Sequence, residues 1–176
     1  LADPTLELFQ GSTLLASNNN WRDTQEADIQ ATGIAPTDNL ESAILQTLAP
    51  GSYTAVLRGS GDTTGVGVVE AYDLDQSANS QLANISTRGF VDTGDNVMIG
   101  GFILGGDSNT NVVVRGLGPS IGVSGFLSDP TLELRDSNGN LLVANDNWQE
   151  DPESAAHLTA LGLDPHNTVE AGIYKS

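Results

Sequence analysis

The sequence predicts an all-β chain of antiparallel strands, with one short surface helix in each of two repeats. Composition is the first observation. The chain has 20 glycines and only 5% aromatic residues, and Asn, Thr and Ser fill the gaps between short apolar runs, which suits many turns and short strands. Alternation is the second: Thr5-Leu6-Glu7-Leu8 switches between polar and apolar at every residue, as a half-buried strand does. Repetition is the third. Asp3-Pro4-Thr5-Leu6-Glu7-Leu8 returns as Asp129-Pro130-Thr131-Leu132-Glu133-Leu134, and Asn18-Asn19-Asn20-Trp21 returns as Asn145-Asp146-Asn147-Trp148. Gly33-Ile34-Ala35-Pro36 and Glu41-Ser42-Ala43-Ile44 come back as Gly162-Leu163-Asp164-Pro165 and Glu170-Ala171-Gly172-Ile173. The period is that of one small domain.

In chain order, Thr5 to Leu8 opens a hairpin that turns at Gln10-Gly11-Ser12 and returns through Leu14-Leu15-Ala16. The second copy turns at Asp136-Ser137-Asn138-Gly139, where Asn-Gly supplies the positive φ of a tight hairpin. A short helix follows, with Asp23 as its cap, Glu26 three residues on and Gly33 past its end. Its counterpart has Asp151 as cap, Pro152 at the first helical position and Gly162 after the last turn. Mixed polarity puts both helices on the surface.

Residues 41–48 are predicted as a strand, followed by the turn Ala49-Pro50-Gly51 and a second strand over 52–58, on which Tyr53, Ala55 and Leu57 share a face. Residues 66–74, carrying Val66, Val68 and Tyr72, are predicted as a β-branched strand. Residues 77–81 make a linker between a first block, 1–76, and a second, 82–176. The second block is predicted to hold strands at 82–90, 96–104 and 111–115, the last two apolar on both faces like central strands of a sandwich. The loop Gly116-Leu117-Gly118-Pro119-Ser120 then leads into the second Asp-Pro-Thr-Leu-Glu-Leu.

Charge and composition narrow the partners. A formal net charge of −17, with 23 acidic against 6 basic residues, disfavours nucleic acid and anionic lipid. With no cysteine there is neither a disulfide nor a thiolate metal site. No apolar run is long enough to span a bilayer as a helix, so no membrane insertion is expected. Leu1 already lies within a repeat, so any targeting segment is expected to have been removed or to lie outside this stretch.

Taken in order, Asp129 to Leu134, Asp136-Ser137-Asn138-Gly139-Asn140-Leu141-Leu142, Glu41-Ser42-Ala43 and Ala49-Pro50-Gly51-Ser52-Tyr53-Thr54-Ala55-Val56 resemble the bacterial pre-peptidase C-terminal domain. Ile85-Ser86-Thr87-Arg88-Gly89-Phe90, the stretch from Gly94 to Phe102, and Arg115-Gly116-Leu117-Gly118-Pro119-Ser120 are similar to a repeat of large surface proteins of Verrucomicrobia-like bacteria. The resemblance implies a jelly-roll-like β-sandwich and secretion to the extracellular side or cell surface. It also implies that a domain starts near Leu82, so that residues 82–176 lack the counterparts of 48–74, their last two strands.

A sandwich short of two strands exposes apolar faces and unpaired backbone groups. Three arrangements would answer this. A neighbouring subunit supplies the strands head to tail, with Tyr53, Ala55, Leu57, Val66, Val68 and Tyr72 as the assembly strands. The next repeat of one long polypeptide supplies them. Or residues 82–126 close back on residues 1–76.

No catalytic constellation stands out. His157 and His166 correspond to Asp28 and Thr37, so the repeat has no use for histidine. Gly122-Val123-Ser124-Gly125 lacks the spacing of a nucleophile elbow, and Gly116-Leu117-Gly118 that of a dinucleotide-binding loop. No organic cofactor is implied. Asn145, Asp146, Asn147 and Asp151, with Asn18, Asn20 and Asp23, form the oxygen-rich set that would suit calcium, although the same residues serve as turns and caps. Trp21 and Trp148 are either sugar-stacking platforms or plugs at one end of a sandwich. The function expected from these observations is a non-enzymatic structural subunit of an extracellular filament or surface fibre, built from identical subunits or neighbouring repeats. The alternative is a glycan- or calcium-binding module of a larger secreted adhesin or enzyme.

Overall fold

The structure is a computed structural model that describes residues 1–75, 77 and 81–176. The chain divides into two compact units, Leu1–Ser86 and Thr87–Ser176. Most of the linker expected at 77–81 lies outside the described residues. The architecture is β-rich and antiparallel, with two short helices.

The first unit is built on the hairpin β1 (Pro4–Gln10) and β2 (Thr13–Asn18), which is followed by α1 (Glu26–Ala31) and β3 (Thr54–Gly59). β1 is the central strand, in the order β2-β1-β3. Leu6 stands opposite Leu57 and Leu8 opposite Ala55. Gly11 at φ 59° makes the tight turn between β1 and β2.

The second unit contains β4 (Val112–Gly116), β5 (Leu132–Arg135), β6 (Leu141–Asn145), α2 (Pro152–Ala160) and β7 (Ala171–Lys175). β5 and β6 form the second copy of the hairpin, turning at Gly139 with φ 81°. β4 pairs with β7, with Val114 opposite Ile173. β7 packs against α2, β5 and β6. Both hairpins carry a bulge at the same place, between Leu8 and Phe9 and between Leu134 and Arg135.

Asp151 caps α2 as expected, accepting from the Glu153 N–H at 3.1 Å. α1 differs. Its N-cap is Gln25 rather than Asp23. Asp23 turns instead to Asn20, whose Nδ2 donates to it at 3.2 Å. Gln25 holds the Leu45 backbone in both directions, at 2.8 and 3.1 Å, which fixes its side chain away from the helix end. The helices are not purely surface excursions, because α1 buries Ile29 and α2 buries Ser154 and Leu158.

The strands expected at 41–48, 66–74, 82–90 and 96–104 do not form. Val66, Val68 and Tyr72 therefore lie in non-strand backbone with exposed side chains, as do Phe90, 88% exposed, and Ile103, 95% exposed. The reason is pairing. β-branched sequence makes a segment willing to extend, but a strand exists only where a neighbour takes its N–H and C=O groups. None of these segments has such a neighbour among the described residues. Of the expected assembly strands, Ala55 and Leu57 lie in β3, and Tyr53 immediately precedes it.

Candidate functional site

The two copies fold to the same local geometry. The Asn18 amide donates to the Asn20 carbonyl at 3.0 Å, and Asn145 donates to Asn147 at 3.0 Å. The oxygen of the same amide accepts a backbone N–H across the repeat, from Ala43 at 3.0 Å in one copy and from Gly172 at 2.8 Å in the other. The Trp21 N–H donates to the Glu41 carbonyl and the Trp148 N–H to the Glu170 carbonyl, each at 2.8 Å. In both copies the glutamate side chain reaches back three residues: the Asp38 N–H donates to Glu41 Oε2, and the Asn167 N–H to Glu170 Oε2, each at 3.3 Å. This reciprocal arrangement has the form of a capping box at a turn.

The copies part at the glutamate. Glu170 is 0% exposed. The loop after β4 folds over it, and one carboxylate oxygen, Oε1, accepts the N–H of Gly118 at 2.9 Å and the N–H of Ser120 at 2.9 Å. The Ser120 hydroxyl lies 2.5 Å from both oxygens. Burial pushes the carboxyl up, yet the donors from Ser120, Gly118 and Asn167 outweigh it and hold the group below its ordinary value. Gly118 fits because it has no side chain; a Cβ there would run into the Leu127 carbonyl oxygen. β4 then pairs with β7, in which Ala171 and Ile173 are buried. In the first copy Glu41 is exposed, and residues 42–45, the counterparts of 171–174, are half-buried and pair with no strand among the described residues.

Trp21 is 2% exposed and Trp148 8%, so neither ring offers a free face for a sugar to stack on. Trp21 Nε1 donates to the Asp38 carbonyl at 3.0 Å, and the Arg22 guanidinium covers the ring at 4.1 Å from its centre. Most of the oxygen-rich set is used within the fold, although Asn20 Oδ1 is buried without a hydrogen-bond partner. Asn18 and Asn145 bridge their repeats, Asp151 caps α2, Asp23 accepts from Asn20, and the Asn147 amide donates to Glu150 at 2.8 Å, with Asp146 beside it. No group of three or more His, Asp or Glu side chains placed to hold a metal ion occurs among the described residues. His157 stacks on Tyr174 with ring centres 4.0 Å apart, and His166 is exposed.

Sequence patterns did not single out Glu170, Gly118 or Ser120 as one site. A signal was present: Asp38-x-x-Glu41 and Asn167-x-x-Glu170 repeat the capping-box spacing with no long helix after either.

Comparison with protein-family models, curated proteins and solved structures returned no match. No helix among the described residues is long and apolar enough to cross a membrane.

Proposed function

We propose that the chain is a non-enzymatic structural subunit of an extracellular filament or cell-surface fibre. It would be built from β-sandwich repeats of the pre-peptidase C-terminal kind, with neighbours completing one another's sheets head to tail. One observation carries this reading: residues 42–46 are held extended by Asn18 and Gln25 with no neighbouring strand among the described residues, whereas the matching stretch of the second copy pairs with β4. A strand added to such an edge by a neighbour makes a heterologous contact, which does not close on itself. The strongly acidic surface keeps such subunits apart until strands pair, because like charge disfavours loose association. The unpartnered apolar residues of 66–74, 82–90 and 96–104 are the material from which completed sheets would be made.

The test is assembly state against concentration, by light scattering and negative-stain electron microscopy. Regular fibres or a ladder of head-to-tail oligomers are expected as concentration rises. A chain that stays monomeric throughout would overturn the proposal. The glycan-binding alternative is disfavoured because both indoles are buried, and the calcium-binding one because most of the Asn and Asp oxygens it would need are engaged within the fold, Asn20 Oδ1 being buried without a hydrogen-bond partner.

A further inference from the structure

We propose that Glu41 and residues 42–46 form a seat for a strand-and-turn segment of the kind found at 112–120, with the Glu41 carboxylate receiving the N–H of its second glycine and the N–H and hydroxyl of its serine. This rests on the assembly reading above and names its contact. The occupied form of the seat is visible in the same chain, where residues 112–120 lie on β7 and Glu170. The empty form is held ready by the same bonds. The Asn18 oxygen fixes the Ala43 N–H as the Asn145 oxygen fixes that of Gly172. Gln25 accepts the Leu45 N–H at 3.1 Å as Ser154 accepts that of Tyr174 at 2.8 Å. Asp38 accepts the Leu40 N–H at 2.9 Å as Asn167 accepts that of Val169 at 3.2 Å.

What differs is the cover. Ile173 is buried beneath the β4 pairing, whereas its counterpart Ile44 is only half-buried, and Glu41 meets solvent where Glu170 meets none. Backbone groups already set in register, next to an apolar side chain and a carboxylate with spare acceptor capacity, suit an added strand. The sequence contains one Val-Val-Val-Arg-Gly-Leu-Gly-Pro-Ser segment and two such seats. In register with the occupied seat, the third valine would lie opposite Ile44 as Val114 lies opposite Ile173.

The experiment titrates a synthetic peptide of residues 111–121 into the full chain and follows backbone amide shifts by NMR. Saturable shifts at 41–46 are expected. Binding should weaken tenfold or more with Glu41→Gln, a change at an exposed residue that leaves the fold intact. It should weaken severalfold when the peptide carries Ser120→Ala, a variant that alters no part of the protein. Absence of saturable binding, binding indifferent to both changes, or shifts confined to 170–175 would overturn the seat. If fibres form while the peptide ignores 41–46, the seat is wrong and the assembly reading stands. If the peptide binds as described but the chain never assembles, the seat stands and the assembly reading falls.

Discussion

Glu170 and Ser120 lie fifty positions apart in sequence, yet the serine hydroxyl sits 2.5 Å from both carboxylate oxygens, closing the loop after β4 over the end of β7. That one contact joins the strand pair β4-β7 to the turn that carries Trp148. Glu170→Gln replaces an acceptor with an amide that sets its own N–H groups against donors in a site without solvent. A loss of about 3 kcal/mol from the second unit is expected, measured by urea denaturation. Ser120→Ala should cost less, about 1 kcal/mol, because the two backbone donors remain.

The same carboxyl gives the second unit an acid sensitivity. It titrates below its ordinary value of 4.5: burial works against this, but the donors from Ser120, Gly118 and Asn167 outweigh it. The unfolded chain therefore binds the proton more readily than the folded one. The stabilisation is present above about pH 4.5 and is lost as pH falls through the lower folded value. Unfolding of the second unit, followed by its indole N–H resonance, should become easier across that window. The Glu170→Gln protein should show a flatter dependence there.

Trp21 and Trp148 occupy the same place in the two copies but differ at the indole nitrogen and in the Arg22 guanidinium that covers only Trp21. Trp21 Nε1 reaches the Asp38 carbonyl, whereas Trp148 Nε1 is buried without a partner. Replacing each by Phe removes similar volume and leaves Arg22 an aromatic face at position 21, so the difference between the variants reports mainly the hydrogen bond. Trp21→Phe should cost about 1 kcal/mol more than Trp148→Phe, read from the melting of each unit separately.

The β5–β6 turn depends on Gly139 at φ 81° and on Asp136, which accepts from the N–H of Asn138, the N–H of Asn140 and the Asn140 amide, each at 2.9 Å. The Asn140 side chain is the main reason the Asp136 carboxyl is held below its ordinary value. Gly139→Ala should cost about 1 kcal/mol through the left-handed backbone alone. Amide exchange in β5 and β6 should accelerate first.

Calcium should leave the melting temperature of both units unchanged, because the asparagine and aspartate oxygens at 18, 23, 145 and 151 already accept hydrogen bonds within the repeat. A calcium-dependent rise measured by calorimetry would contradict this.

Local chemistry was legible in the sequence where it is self-contained. Asn138-Gly139 specifies its hairpin, and Asp151-Pro152 with Gly162 specifies α2. Asp23 misled, because a cap depends on where the neighbouring side chains are held, and Gln25 is tied to Leu45, twenty positions away. Glu170 gave no hint of burial, since carboxylates are ordinarily exposed and its donors at 118 and 120 come from a distant loop. The β-branched runs at 66–74 and 96–104 looked like strands because composition reports the tendency to extend. Whether a partner lies alongside is a property of the assembled sheet.

The paired bulges at Leu8/Phe9 and Leu134/Arg135 bear on a hazard that such open edges create. A flat ribbon with uncovered apolar side chains would template indiscriminate cross-β stacking of like chains. An extra residue kinks and over-twists each ribbon at the same point, so a straight foreign strand loses its match after a few residues. Only a segment shaped to that distortion can run the full length, and amyloid-like growth is thereby discouraged.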